Sequence, residues 1–446
     1  VRTTRRDLCA ALAAVLLFTA ALLVGRHLES TDGSLHLRWP PLYAYWLPHV
    51  GPGTPAALTV AVLTVAYGPP LARRLRWRGL LLAGWAGSTA WLWSLALIDG
   101  WHRGVAERLT TKYEYLQSVG DVHDVGATLR TFTDHIPYGP DHWPAHVAGH
   151  PPGALLTFVG LDRIGLDGGA WAAVWCLTIA STAAVAVLVT VRALCGEETA
   201  RRAAPFLVLA PAAVWQGVSA DGYFTGVTAW AVALLALAAT RRVRFPRVAA
   251  LGSGLLLGLA CYLSYGLLLM APVCLGVLAA ARTVRPVPYV LLGIVPWVVA
   301  FTAAGFWWYD GYSTLVGRYY DGAAGVRPYG YFLWANPAAN VAVVGVATVA
   351  ALRHAGVALP GAVRGLRRAP AHGAGALALL VAGAACAVLA ADLSGMSKAE
   401  TERIWLPFTL WLLPAAALLP ERSWRYWLSA QAVVALTVNH LVVTGW

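Results

Sequence analysis

The stretch GGAWAAVWCLTIASTAAVAVLVTV, residues 168–191, runs for 24 residues without a charged side chain. A helix rises 1.5 Å per residue, so this run is long enough to cross the hydrocarbon core of a bilayer, and it carries no charge that would have to be buried there. Similar runs recur on both sides of it. We place them at about 8–24, 55–72, 79–99, 203–220, 223–240, 248–264, 266–282, 287–305, 337–353, 373–391, 404–420 and 426–446, which gives about thirteen spans with the first. The chain has 446 residues, 59% of them hydrophobic and 12% charged, with a mean hydropathy of +0.61. That balance excludes a soluble multidomain enzyme. The expected fold is all-α: a polytopic transmembrane bundle forming one membrane domain over 1–446, with long outer loops that carry juxtamembrane helices.

The run from Leu8 to Val24 follows Arg2, Arg5 and Arg6 but has no small-residue cleavage site, so it reads as a span and not as a leader. Arginines set the orientation. With the N-terminus inside, 22 of the 33 basic residues fall in cytoplasmic turns, and the long loops lie outside. The same bias accounts for the net charge of +12, so no nucleic-acid partner is needed to explain it. Two lysines against 31 arginines, with a high Ala and Gly content, suggest a GC-rich bacterial coding sequence and hence a bacterial cytoplasmic membrane. The six cysteines (Cys9, Cys176, Cys195, Cys261, Cys274 and Cys386) fall in spans or on the inner side and form no disulfide framework.

Three outer segments are too long to be simple turns: about 27–54, 100–167 and 306–336. The second is the polar centre of the chain, with acids and six of the twelve histidines. In KYEYLQSVGDVHD (112–124), Glu114, Asp121 and Asp124 are candidates for a general base that accepts the proton of an attacking hydroxyl. Each could instead be a solvated loop acid. Helical patterning is mixed over Val105–Val119 and Val125–Ile136. In HWPAHVAGHPPGALL (142–156), Pro151 and Pro152 open a short apolar helix over Pro151–Gly165, expected to lie along the outer membrane surface. His142, His146 and His150 have i, i+4, i+8 spacing, yet Pro144, Gly149 and Pro151 break any shared helix. A divalent metal there is possible but not favoured; substrate orientation by His146 and His150 is preferred, and no cofactor is implied.

Two further segments carry charge or aromatic surface. In SGMSKAETERIWLPF (394–408), Lys398 and Arg403 stand just outside a span, where they could hold a phosphate, or where Glu400 and Glu402 could simply pair with them. Residues 306–334 interleave nine Trp and Tyr residues with Asp310, Arg318, Asp321 and Arg327, which reads as an interfacial belt or a sugar-stacking surface. Asp221 marks an outer span end. Acids near the bilayer midplane, as a coupled ion transporter would carry, are not seen.

The chain resembles the GT-C superfamily of integral membrane glycosyltransferases. The resemblance lies in an acid-bearing outer loop leading to GHPPG (149–153), similar to the His/Lys-Pro-Pro of the aminoarabinose-transferase and protein-mannosyltransferase branches. It extends to ERIWLPFTLWLLP (402–414), similar to their Arg-Tyr-x-x-Pro segment at Arg403 and Pro407. The chain departs from those branches in having its acidic loop after the third span and no Asp-Glu pair. The resemblance implies transfer of a sugar from a polyprenyl phosphate to a glycan, lipid or protein acceptor, with inversion. Glu114 is the first choice of base, followed by Asp121 and Asp124, while Arg403 and Lys398 hold the leaving phosphate and His146, His150 and Asp221 contact substrate. The rival readings are a lipid or polysaccharide transporter with glycan-binding loops, and a metal-dependent hydrolase that needs His142, His146 and His150 to converge.

Overall fold

A computed structural model describes residues 2–445. Among them the chain is an all-α bundle with eight helices long and apolar enough to cross a membrane: Arg5–Thr31, Thr54–Arg74, Trp77–Asp99, Gly168–Cys195, Ala220–Thr240, Pro246–Leu263, Tyr329–Gly365 and Gly373–Leu393. The other five expected spans are shorter, broken or less apolar. The helix over segment 203–220 stops at Val208, ahead of Pro211, and Pro407 and Pro414 interrupt segment 404–420, because proline lacks the N–H that continues a helix. Tyr265–Ala281 and Leu406–Leu418 are the short apolar helices that remain of segments 266–282 and 404–420. Val287–Ala303 meets Trp308–Asp321 at 74° as one bent pair, which raises the count to nine if it is a broken span. Trp424–Leu441 is long enough, but Arg425, Gln431, Asn439 and His440 dilute its apolar character.

Helix Ala220–Thr240 forms the centre: 78% of its most apolar window is buried, against 17% for Arg5–Thr31 at the rim. It packs most extensively on Gly168–Cys195. Small residues let backbones meet where bulkier ones would hold them apart. Between Pro246–Leu263 and Val287–Ala303 the approach is reciprocal. A Cβ on Gly254 would stand 2.0 Å from the Val290 carbonyl oxygen, and one on Gly293 would stand 2.4 Å from that of Leu251.

Segments 27–54, 100–167 and 394–403 gather at one end of the bundle. Strand Ala44–Trp46 pairs antiparallel with Val442–Thr444 and clips the first of these loops to the chain's C-terminal end. Within 100–167, the expected helix over Val105–Val119 is instead a series of short turns, whereas Val125–Thr131 is α-helical and continues into a tighter turn over Phe132–His135. The helix opened by the two prolines spans Pro152–Arg163. It buries Leu155, Phe158 and Val159 against the bundle, with Gly153 tight against the Tyr262 backbone.

Candidate active site

Glu114 caps the turn Tyr115–Ser118. Pro144 starts the short helix Ala145–Ala148, whose His146 N–H donates to the Tyr113 carbonyl at 2.9 Å, so two distant parts of one loop are bonded together. Asp221 sits in the first turn of the central helix, where an acid is favoured by the helix dipole, and Ser219 caps that turn. Arg403 lies in the turn Thr401–Ile404.

These four side chains form one buried chain, each between 4% and 7% exposed. Arg403 Nη1 donates to Asp221 Oδ2 at 2.5 Å, and Nη2 reaches both Glu400 Oε2 at 3.1 Å and His146 Nε2 at 2.9 Å. His146 Nδ1 lies 3.0 Å from Glu114 Oε2. A guanidinium can only donate, so His146 Nε2 accepts and the imidazole proton sits on Nδ1, directed at Glu114. His146 therefore bridges the Glu114 carboxylate and the Arg403 guanidinium. Burial works against the Arg403 charge, but Asp221, Glu400 and Glu114 outweigh it and hold the guanidinium's pKa above its usual value.

The surroundings are aromatic. Tyr115 stacks on Phe158 with ring centroids 5.3 Å apart and meets the His150 ring edge-on at 5.7 Å. His150 Nδ1 donates to the His146 carbonyl at 2.8 Å, and burial lowers its pKa to about 4, so the ring is neutral. Glu402 is fully buried: its Oε1 accepts the Tyr43 N–H at 2.8 Å, its Oε2 has no hydrogen-bond partner among the described residues, and burial pushes its pKa up to about 7. A cavity of about 300 Å³ lies between Leu116, Gln117, Phe158, Asp162 and the start of Gly168–Cys195; Glu114, His146, Asp221 and Arg403 do not line it.

Of the residues expected from the sequence, Glu114, His146, Asp221 and Arg403 come together, and His150 packs beside them. Asp121 and Asp124 are exposed and stand apart. Asp124 caps its own helix by accepting from Gly126 N at 2.7 Å and Ala127 N at 3.1 Å. Lys398 turns away and donates to the Ala324 carbonyl at 2.8 Å. His142 is exposed and bonded to Gly139, and among the described residues no group of three or more His, Cys, Asp or Glu could hold a metal ion. Glu400 pairs with Arg403 as its spacing suggests, whereas Glu402 does not. The Tyr43 backbone and the Tyr115–Phe158 stack had no signal in the sequence, since each depends on elements that meet only in the fold.

No protein-family model matches the chain, and no curated protein matches it. Among solved structures it is similar to the oligosaccharyltransferase of Archaeoglobus fulgidus, crystallised with zinc and sulfate. The TM-score is 0.44 at 12% identity, covering 80% of this chain and 50% of that one. The chain thus spans about half the length of that protein, and the likeness is too loose to carry a function, which has to rest on the site.

Proposed function

We propose that the protein is a membrane glycosyltransferase that moves a sugar from a polyprenyl phosphate to an acceptor hydroxyl at the outer face of a bacterial cytoplasmic membrane. The observation that carries this reading is the buried sequence Glu114, His146, Arg403, Asp221. A carboxylate with one oxygen fixed by an imidazole keeps its other oxygen for an incoming hydroxyl, as a positioned general base requires. The acceptor proton passes to Glu114 while the acceptor oxygen bonds the anomeric carbon. The bond from that carbon to the phosphate oxygen breaks, and its electron pair leaves with the lipid phosphate. One in-line displacement inverts the anomeric centre.

Arg403 is already engaged by Asp221, Glu400 and His146. That supports a role in fixing the His146 tautomer, in place of the phosphate-holding role the resemblance implies. The reading is tested with membranes supplied with radiolabelled polyprenyl-phosphate mannose and arabinose. Glu114→Gln should lower transfer by about 10²- to 10⁴-fold, the usual worth of a general base, with protein levels unchanged. Asp121→Asn and Asp124→Asn should leave transfer near wild type. Full transfer by the Glu114 variant would remove it as the base.

A further inference from the structure

Two long stretches of the chain contain no acid at all. No Asp or Glu occurs between Asp221 and Asp310, nor between Asp321 and Asp392, yet three turns within these stretches are rich in arginine: 241–247 holds four, 282–285 two and 364–368 three. All of these side chains are exposed. Among the described residues none of them has a carboxylate at ion-pair distance. Other arginines at the same end of the bundle are neutralised by acids: Arg73 pairs with Glu421, Arg192 and Arg201 with Glu197, and Arg353 with Asp7. One side of this end is therefore laced with ion pairs and the other is uniformly positive.

The fold joins the three turns into one surface. Arg282 Nη1 donates to the Arg368 carbonyl at 2.9 Å and Nη2 to the Arg367 carbonyl at 3.0 Å, while the Ala371 N–H donates to the Ala280 carbonyl at 2.9 Å. The Arg247 guanidinium lies 5.7 Å from the centroid of the Tyr289 ring, which links the first turn to the second. Exposed apolar side chains stand among the cations: Phe245 at 58%, Val284 at 73% and Val363 at 51%. The surface begins where the central helix Ala220–Thr240 ends, and that helix carries Asp221 in its first turn. At 1.5 Å per residue the patch is about 30 Å from the acid-rich cluster, close to the thickness of a bilayer's hydrocarbon core.

We propose that this acid-free surface binds net-negative phospholipids of the leaflet at its end of the bundle. Guanidinium forks match the oxygens of a phosphodiester, and arginines clustered beside membrane helices attract anionic headgroups. Phe245, Val284 and Val363 supply what a free phosphate would not need, an apolar surface for the glycerol and the first methylenes of the acyl chains. A zwitterionic lipid brings an ammonium that the arginines repel, so the net charge of the lipid decides which one binds. The patch is too far from Glu114 for its lipid to be a sugar donor, and the site stands whether or not the chain transfers sugar.

The whole chain in dodecyl maltoside micelles is titrated with radiolabelled phosphatidylglycerol, and bound lipid is counted after gel filtration. Saturable binding is expected, with little competition from phosphatidylcholine at the same mole fraction or from inorganic phosphate at the same concentration. The triple variant Arg285→Gln, Arg367→Gln, Arg368→Gln should weaken it by about tenfold or more. A matched triple, Arg74→Gln, Arg76→Gln, Arg78→Gln, removes the same charge from the turn that Glu197 and Glu421 flank and should bind as wild type does. Equal weakening by both triples would reduce the effect to overall charge and overturn the site, as would unchanged affinity in the first. Full displacement by inorganic phosphate would make this a free-anion site instead, and a single-stranded oligonucleotide that displaces the lipid with the same arginine dependence would overturn the lipid assignment. Should the first triple fail to fold, judged by its melting temperature, wild type alone decides. Phosphatidylglycerol bound no better than phosphatidylcholine would then sink the site, and preferential binding that weakens as salt is raised would support it.

Discussion

The Nε2 atom of His146 lies 2.9 Å from Nη2 of Arg403, and this contact fixes which way the imidazole proton points. The ring must accept from the guanidinium, so its single proton faces Glu114. Removing the ring leaves a buried carboxylate without its fixed donor and a buried guanidinium without one acceptor. His146→Ala should therefore destabilise the protein by about 1–3 kcal/mol. It should lower kcat more than it raises KM, since the acid loses its aim. Transfer kinetics and thermal melting of the same preparation check both halves.

Arg403 and Asp221 form a buried ion pair at 2.5 Å, with both side chains at most 7% exposed. Breaking one side strands the other charge, at a cost of about 3–5 kcal/mol. Arg403→Gln and Asp221→Asn should each lower the melting temperature strongly, and the double variant should fall well short of the sum. Additive losses would mean that the two groups are not coupled.

The Glu402 carboxyl is raised by burial to about 7 in the folded protein, against 4.5 for its ordinary value. Between these values the unfolded chain releases the proton while the folded one keeps it, so this group favours unfolding as pH rises from about 4.5 to about 7. His150 acts in the opposite sense. Its folded value near 4 lies below the ordinary 6.5, so the unfolded chain binds the proton first and stability rises over that window. Glu402→Gln should remove the first trend and leave the second. Melting of the Gln variant should thus climb more steeply with pH between about 4.5 and 6.5 than that of wild type, and parallel curves would show that Glu402 does not titrate there.

At Gly254 a Cβ would stand 2.0 Å from the Val290 carbonyl oxygen, whereas at Gly160, also helical, it would meet nothing within 4 Å. Gly254→Ala should force two backbones apart and cost about 1–3 kcal/mol, as overpacking does. Gly160→Ala should instead stabilise by up to about 1 kcal/mol through helix propensity. A thermal melt of each variant separates the two effects.

The sequence by itself determined the class of fold, because a charge-free run such as 168–191 has few stable states other than a membrane-length helix. It also pointed to the polar segments, since charges in so apolar a chain stand out. The number of long helices was less legible: where Pro211, Pro407 and Pro414 fall in apolar segments, hydropathy continues though the hydrogen-bond ladder does not. Among the three loop acids, composition treated Glu114, Asp121 and Asp124 alike. The resemblance ranks Glu114 first, but burial and partners are long-range properties that only the tertiary structure supplies: Glu114 meets His146 from 32 residues on and, through it, Arg403, while Asp124 spends an oxygen on its own helix. The same holds for Lys398. Five residues from Arg403 in sequence, it stands apart from the cluster because the left-handed Ala399 and Glu400 lie between them and its ammonium donates to the Ala324 carbonyl.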